Sequence, residues 1–103
     1  MRPVKQSDLD ELFENYPQVI ALMPNRFTSH QFILKLAQRN QKAYIEALHA
    51  YRRKIQPFRK LHTRLAKQLN EHRDLVRKAG RDTKSPDIFT AHPGCMTWSK
   101  VGK

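Results

Sequence analysis

Between Thr28 and Tyr51 apolar side chains return every three or four residues, at Ile33, Leu36, Ala37, Tyr44, Ala47, Leu48 and Tyr51. A helix turns once in about 3.6 residues, so this spacing keeps all of them on one side and commits the segment to an amphipathic helix. Its start is written just as locally. Thr28 followed by Gln31 forms a capping box, and Phe27 and Phe32 occupy the two positions of a hydrophobic staple. Leu34 and Ile45 widen the stripe, which makes this the central helix, packed on two sides, with Lys35, Arg39, Lys42, Glu46 and Arg53 facing away.

Two further helices are expected around it. The first opens at Ser7-Asp8-Leu9-Asp10, where acids complement the helix dipole, and runs on through Leu9, Leu12, Phe13 and Tyr16. Pro17 forces a break near Tyr16, with Val19, Ile20 and Leu22 in a short continuation before the Pro24-Asn25 turn. The third follows Arg52-Arg53-Lys54-Ile55-Gln56 and starts at Pro57, whose missing N–H costs nothing in a first turn. Phe58, Leu61, Leu65, Leu69, His72 and Val76 form its buried stripe, and Ala79-Gly80 its left-handed end. The tail then reads as a hairpin: Asp87–Ala91, the turn His92-Pro93-Gly94, and Cys95–Val101. The expected fold is mainly α, a single three-helix domain over residues 1–103 with a C-terminal β-hairpin and flexible ends at 1–6 and 102–103.

Charge is distributed unevenly over this frame. The chain of 103 residues carries +11 in total, yet residues 15–70 hold eleven Lys and Arg against the single acid Glu46. So one-signed a cluster repels itself, and a polyanionic partner would repay that cost. Projected at about 100° per residue, Arg59, Lys60, Thr63, Arg64, Lys67 and Asn70 gather opposite the apolar stripe of the third helix. Arginine forks suit phosphate oxygens and guanine edges, while Thr and Asn hydrogen-bond phosphates or bases. Arg52, Arg53 and Lys54, just upstream, would add a clamp on backbone phosphate.

Other chemistry is poorly supported. His62 and His72 stand ten residues apart on one expected helix, too far around it to share an ion, and His92 with Cys95 lacks the second pair that a structural zinc needs. Cys95 has no base and orienter beside it, and there is no phosphate-cradling Gly-rich loop or nucleophile elbow. Trp98 and Phe89 are expected to anchor the hairpin in the core, because folding a chain this short buries only roughly two-thirds of its surface. The lone cysteine forms no internal disulfide, Met1 to Asp8 has no apolar signal core, and no run approaches the roughly 18 apolar residues of a membrane span. A cytosolic protein without metal or cofactor is expected.

The order of helices then hairpin resembles that of winged-helix domains. Phe27-Thr28-Ser29-His30 through Tyr44-Ile45-Glu46, Pro57-Phe58-Arg59-Lys60-Leu61-His62, and Ser85-Pro86-Asp87-Ile88-Phe89 with Trp98-Ser99-Lys100 also resemble a type of small bacterial protein. That resemblance implies a bacterial, cytosolic single domain and carries over no functional residue. The functional expectation is a non-enzymatic nucleic-acid-binding protein, DNA favoured over RNA. The alternative is a small helical subunit of a larger nucleoprotein complex, or an inhibitor on an acidic partner, docking through the apolar surface of the second helix.

Overall fold

Thr28 caps its helix as the capping box requires. In the computed structural model, which describes residues 9–82 and 95–101, the Gln31 amide donates to Thr28 Oγ1 at 3.1 Å and the Thr28 amide to Gln31 Oε1 at 3.0 Å. The Phe27 and Phe32 rings meet at 6.1 Å and close the staple. The helix so begun, α3 (Ser29–Arg39), follows α1 (Asp10–Glu14), α2 (Tyr16–Leu22) and a short strand β1 (Arg26–Thr28). After it come α4 (Gln41–Ala50) and α5 (Pro57–Gln68), the latter continued by a 3-10 turn over Leu69–His72. Strands β2 (Val76–Asp82) and β3 (Cys95–Lys100) are the remaining described elements. The described residues are mainly helical with a small antiparallel sheet, as expected, but they hold five α-helices where three were anticipated.

Asparagines make the extra breaks. Asn15 separates α1 from α2 at the expected place, its Nδ2 donating to the Glu11 carbonyl at 2.7 Å. Asn40 interrupts the central helix, which periodicity alone did not show. At φ −134°, ψ 55° it leaves the helical region, while its Nδ2 and amide both donate to the Leu36 carbonyl, at 3.2 and 3.0 Å. A short amide side chain competes for backbone partners in this way and so favours helix ends over interiors. The break narrows the apolar stripe: Ile45 is 64% and Leu34 37% exposed, so neither widens the core. Leu22, at the end of α2, is also exposed. At the other end, Leu9 occupies the cap position of α1 without a side-chain cap bond, and Ser7 and Asp8 lie outside the described residues.

The third helix is shorter than its stripe suggests. It ends at Gln68 and, after the 3-10 turn, the chain reverses, so that Val76 is buried from a strand and not from a helix. Gly80 is correspondingly no helix cap. It sits in β2 at φ +124°, where Lys78 pairs with Trp98 and Gly80 with Thr97, leaving Ala79 as the extra residue of a bulge. Glycine is the residue that adopts this φ without strain. The first hairpin strand is therefore Val76–Asp82; the Asp87–Ala91 segment, Phe89 and His92 lie outside the described residues. β3 runs between its partners in the order β1-β3-β2, antiparallel to both. Trp98 is buried as expected, its indole N–H donating to Ser29 Oγ at 2.9 Å, and Ser29 donates on to the Met96 carbonyl.

Tyr16 joins the helices. Fully buried, it lies edge-on to Phe13 and Phe32 and stacks on His72. Its hydroxyl donates to the Leu65 carbonyl at 2.5 Å. Because Leu61, Leu65 and Leu69 are fully buried against the same cluster, α5 is held by its apolar side and turns its other side outward. Each such leucine contributes roughly 1.5–3 kcal/mol on removal from water. Among the described residues no helix is long and apolar enough to cross a membrane.

Candidate functional site

With Leu61 and Leu65 inward, α5 presents Arg59, Lys60, Thr63 and Lys67 as exposed side chains on its outer face. Arg59 to Lys67 covers about 12 Å of helix at 1.5 Å per residue. The connection from α4 folds back beside this face through consecutive turns, the Lys54 amide donating to the Tyr51 carbonyl at 2.9 Å. Between the two lies an open hollow of ≈ 650 Å³. Lys54, Arg59, Lys60, Arg64 and Lys67 line it, and none of its described lining residues is acidic.

The expected site residues thus divide. Lys54, Arg59, Lys60, Thr63, Arg64 and Lys67 are brought together. Arg52 and Arg53 are exposed on the connection but do not line the hollow, and Arg52 Nη1 donates to the His49 carbonyl at the end of α4, at 3.0 Å. Asn70 is not brought in either. It belongs to the 3-10 turn, half-buried, with its Oδ1 buried and lacking a hydrogen-bond partner. The tighter turn explains this, since about three residues per turn swing Asn70 off the line that a continued α-helix would follow.

Two lining residues were not anticipated, Tyr51 and Gln56. Tyr51 reads as core from its spacing and is indeed buried, yet it also contributes to the wall of the hollow. Gln56 precedes Pro57 and takes φ 56°, ψ 62°. Pro57 disfavours the right-handed helical region for the residue before it, and Gln56 is the one described non-glycine residue at positive φ.

Arg64 differs from its neighbours in being half-buried. Its guanidinium lies 4.8 Å from the centre of the Phe13 ring and donates to Gln68 Oε1 at 3.2 Å. One fork edge is thus fixed against the protein while the residue still borders the hollow. Such an arginine loses less side-chain freedom on meeting an anion than a free lysine does. On the far side of α5, Tyr44 shares a 2.7 Å hydrogen bond with His62 Nε2. Burial holds the Tyr16 phenol far above its ordinary range, against the opposing pull of Arg64, and pushes Tyr44 up to about 12. Both are therefore neutral hydrogen-bonding groups at ordinary pH, and they pin α5 from two directions.

Among the described residues no three His, Cys, Asp or Glu side chains gather in a way that could hold a metal ion. His72 packs at the core edge against Tyr16, in keeping with its place on the apolar stripe, and its Nε2 is buried without a hydrogen-bond partner. Comparison with protein families, curated proteins and solved structures gives no match for the chain.

Proposed function

We propose that this chain is a non-enzymatic nucleic-acid-binding domain that grips the phosphodiester backbone in the hollow between the α4–α5 connection and the outer face of α5. The observation that carries this reading is the meeting of five cations, Lys54, Arg59, Lys60, Arg64 and Lys67, in one open depression with no acid among its described lining residues. Gathered without counter-charge, they repel one another in the free protein, and a phosphate chain reverses the sign of that energy. Arg52 and Arg53 extend the positive field along the connection. Thr63 and Gln56 supply neutral hydrogen-bonding groups among the cations. Binding would begin with displacement of counterions from phosphates and end with the α5 face against the groove. Duplex DNA is the favoured form, because its major groove is wide enough to admit a helix and that of A-form RNA is not.

Fluorescence anisotropy of labelled duplex DNA, single-stranded DNA and duplex RNA, titrated with the full chain over a salt series, tests this. Binding to duplex DNA that weakens linearly in a log–log salt plot is expected. Failure to bind any of the three at low salt refutes it. A second reading, docking on an acidic protein, would use the same uncountered cations, with Ile45, exposed on α4, as an apolar contact. Polyglutamate that binds more tightly than DNA would move the assignment to that class.

A further inference from the structure

The five cations of the hollow are not held alike. Lys54, Arg59, Lys60 and Lys67 are exposed, whereas Arg64 is half-buried in the wall. An exposed long side chain approaches an anion from many rotamers and gives up that freedom when it binds. Arg64 has given up most of it in the free protein. The carbonyl of the next residue, the fully buried Leu65, accepts from the Tyr16 hydroxyl, which fixes the backbone of α5 at this turn. The guanidinium then lies over the Phe13 ring at 4.8 Å, and its Nη1 donates to Gln68 Oε1 at 3.2 Å.

Neither Phe13 nor Gln68 lines the hollow. Phe13 reaches Arg64 from α1, and Gln68 stands one turn further along α5. Whatever either contributes to the hollow therefore passes through Arg64. Gln68 occupies one edge of the guanidinium and leaves the N–H pair of the other edge for a ligand. The two non-bridging oxygens of a phosphate match such a pair, and a lysine ammonium offers no equivalent planar fork.

Resting on the nucleic-acid reading above, we propose that Arg64 is the anchor of the hollow: it takes two oxygens of one phosphate in a fixed orientation, with Gln68 and Phe13 as its positioning residues. The four exposed cations draw the backbone in, and the anchored phosphate sets where it lies on α5. Charge and geometry are then separable. The salt slope counts neutralised phosphates and is the same for a lysine as for an arginine, whereas affinity also depends on the fork.

Anisotropy titrations of labelled duplex DNA over a salt series, with urea midpoints to confirm folding, test this. Arg64→Lys keeps the charge and should weaken binding at least about tenfold with the wild-type salt slope, well beyond the loss in Arg59→Lys. Gln68→Leu removes no charge and lies outside the lining, yet it should weaken binding about threefold. In the Arg64→Lys background the same Gln68→Leu change should cost nothing further, since the fork it positions is absent. A purely structural Gln68 would cost the same in both backgrounds, and that outcome overturns its positioning role. Arg64→Lys no weaker than Arg59→Lys overturns the anchor and leaves phosphate binding standing. Should Arg64→Lys fail to fold, Gln68→Leu binding as tightly as wild type overturns it equally. Failure of the wild-type chain to bind duplex DNA removes both readings.

Discussion

Arg59→Ala with Lys67→Ala is the perturbation that addresses the phosphate grip most cleanly. Both side chains are exposed, at opposite ends of the α5 face, and both line the hollow. Arg64 is deliberately spared, because its guanidinium packs on Phe13 and its truncation would disturb the helix as well as the charge. Counting Arg52 and Arg53 with the five lining cations, the surface offers at most seven phosphate contacts. On B-DNA each contact contributes about −0.9 to the slope of log K against log salt, so the wild-type slope should be no steeper than about −6. Removing two contacts should flatten it by about 1.8. The affinity ratio then follows from the salt concentration itself: about 60-fold at 0.1 M, about 18-fold at 0.2 M, and convergence near 1 M. Anisotropy titrations of both proteins at four or more salt concentrations measure this, with circular dichroism confirming an unchanged fold. Parallel lines, offset by a constant factor, would mean that the two residues act otherwise than by neutralising phosphate. Coincident lines would remove the α5 face from the site.

Two further outcomes concern the scaffold. The phenols of Tyr16 and Tyr44 are raised above the unfolded value near 10, so the stability they confer is full below pH 10 and falls as pH rises beyond it. Urea midpoints between pH 9 and 11.5 should drop less steeply in Tyr16→Phe than in wild type, and equal slopes would contradict the burial argument. Gln56→Gly should relieve left-handed strain of about 1–2 kcal/mol against an entropy cost of about 0.5–1 kcal/mol. A rise in melting temperature of a few degrees is expected, and a fall would show that Gln56 is not strained.

Most of what lay within five residues could be read from the sequence; the break at Asn40 is the exception, because its bond to Leu36 is local but the apolar period runs on across it. The Thr28–Gln31 box, the Phe27–Phe32 pair, the break before Pro17 and the start at Pro57 all formed as their local chemistry dictates. The strands were misread because distant pairing decides them. Residues 77–82, Arg-Lys-Ala-Gly-Arg-Asp, contain good helix formers, and nothing local announces that they will ladder with Cys95–Ser99. β1 was hidden for the same reason, having no strand character without Thr97–Ser99. Glycine at position 80 correctly signalled unusual backbone, but a bulge and a helix end make the same demand. Five of the nine expected site residues share the hollow because α5 is a regular helix over that stretch of polar spacing, and Lys54 joins them from the connection; Asn70 fell away where the regularity stops.

The strand order carries a consequence for the life of the chain. β3, the strand on which both β1 and β2 depend, is the last described element to be synthesised. Until it emerges, the indole that caps the Ser29 hydroxyl is missing and two strand edges await the same partner. The helices can form as they are made, but closure of the domain is a late event joining residues about seventy positions apart, such as Phe27 and Trp98. A polypeptide interrupted before Cys95 would carry two open edges, the arrangement from which chains pair with one another instead of with themselves. Closure of the sheet therefore requires that synthesis has passed Ser99.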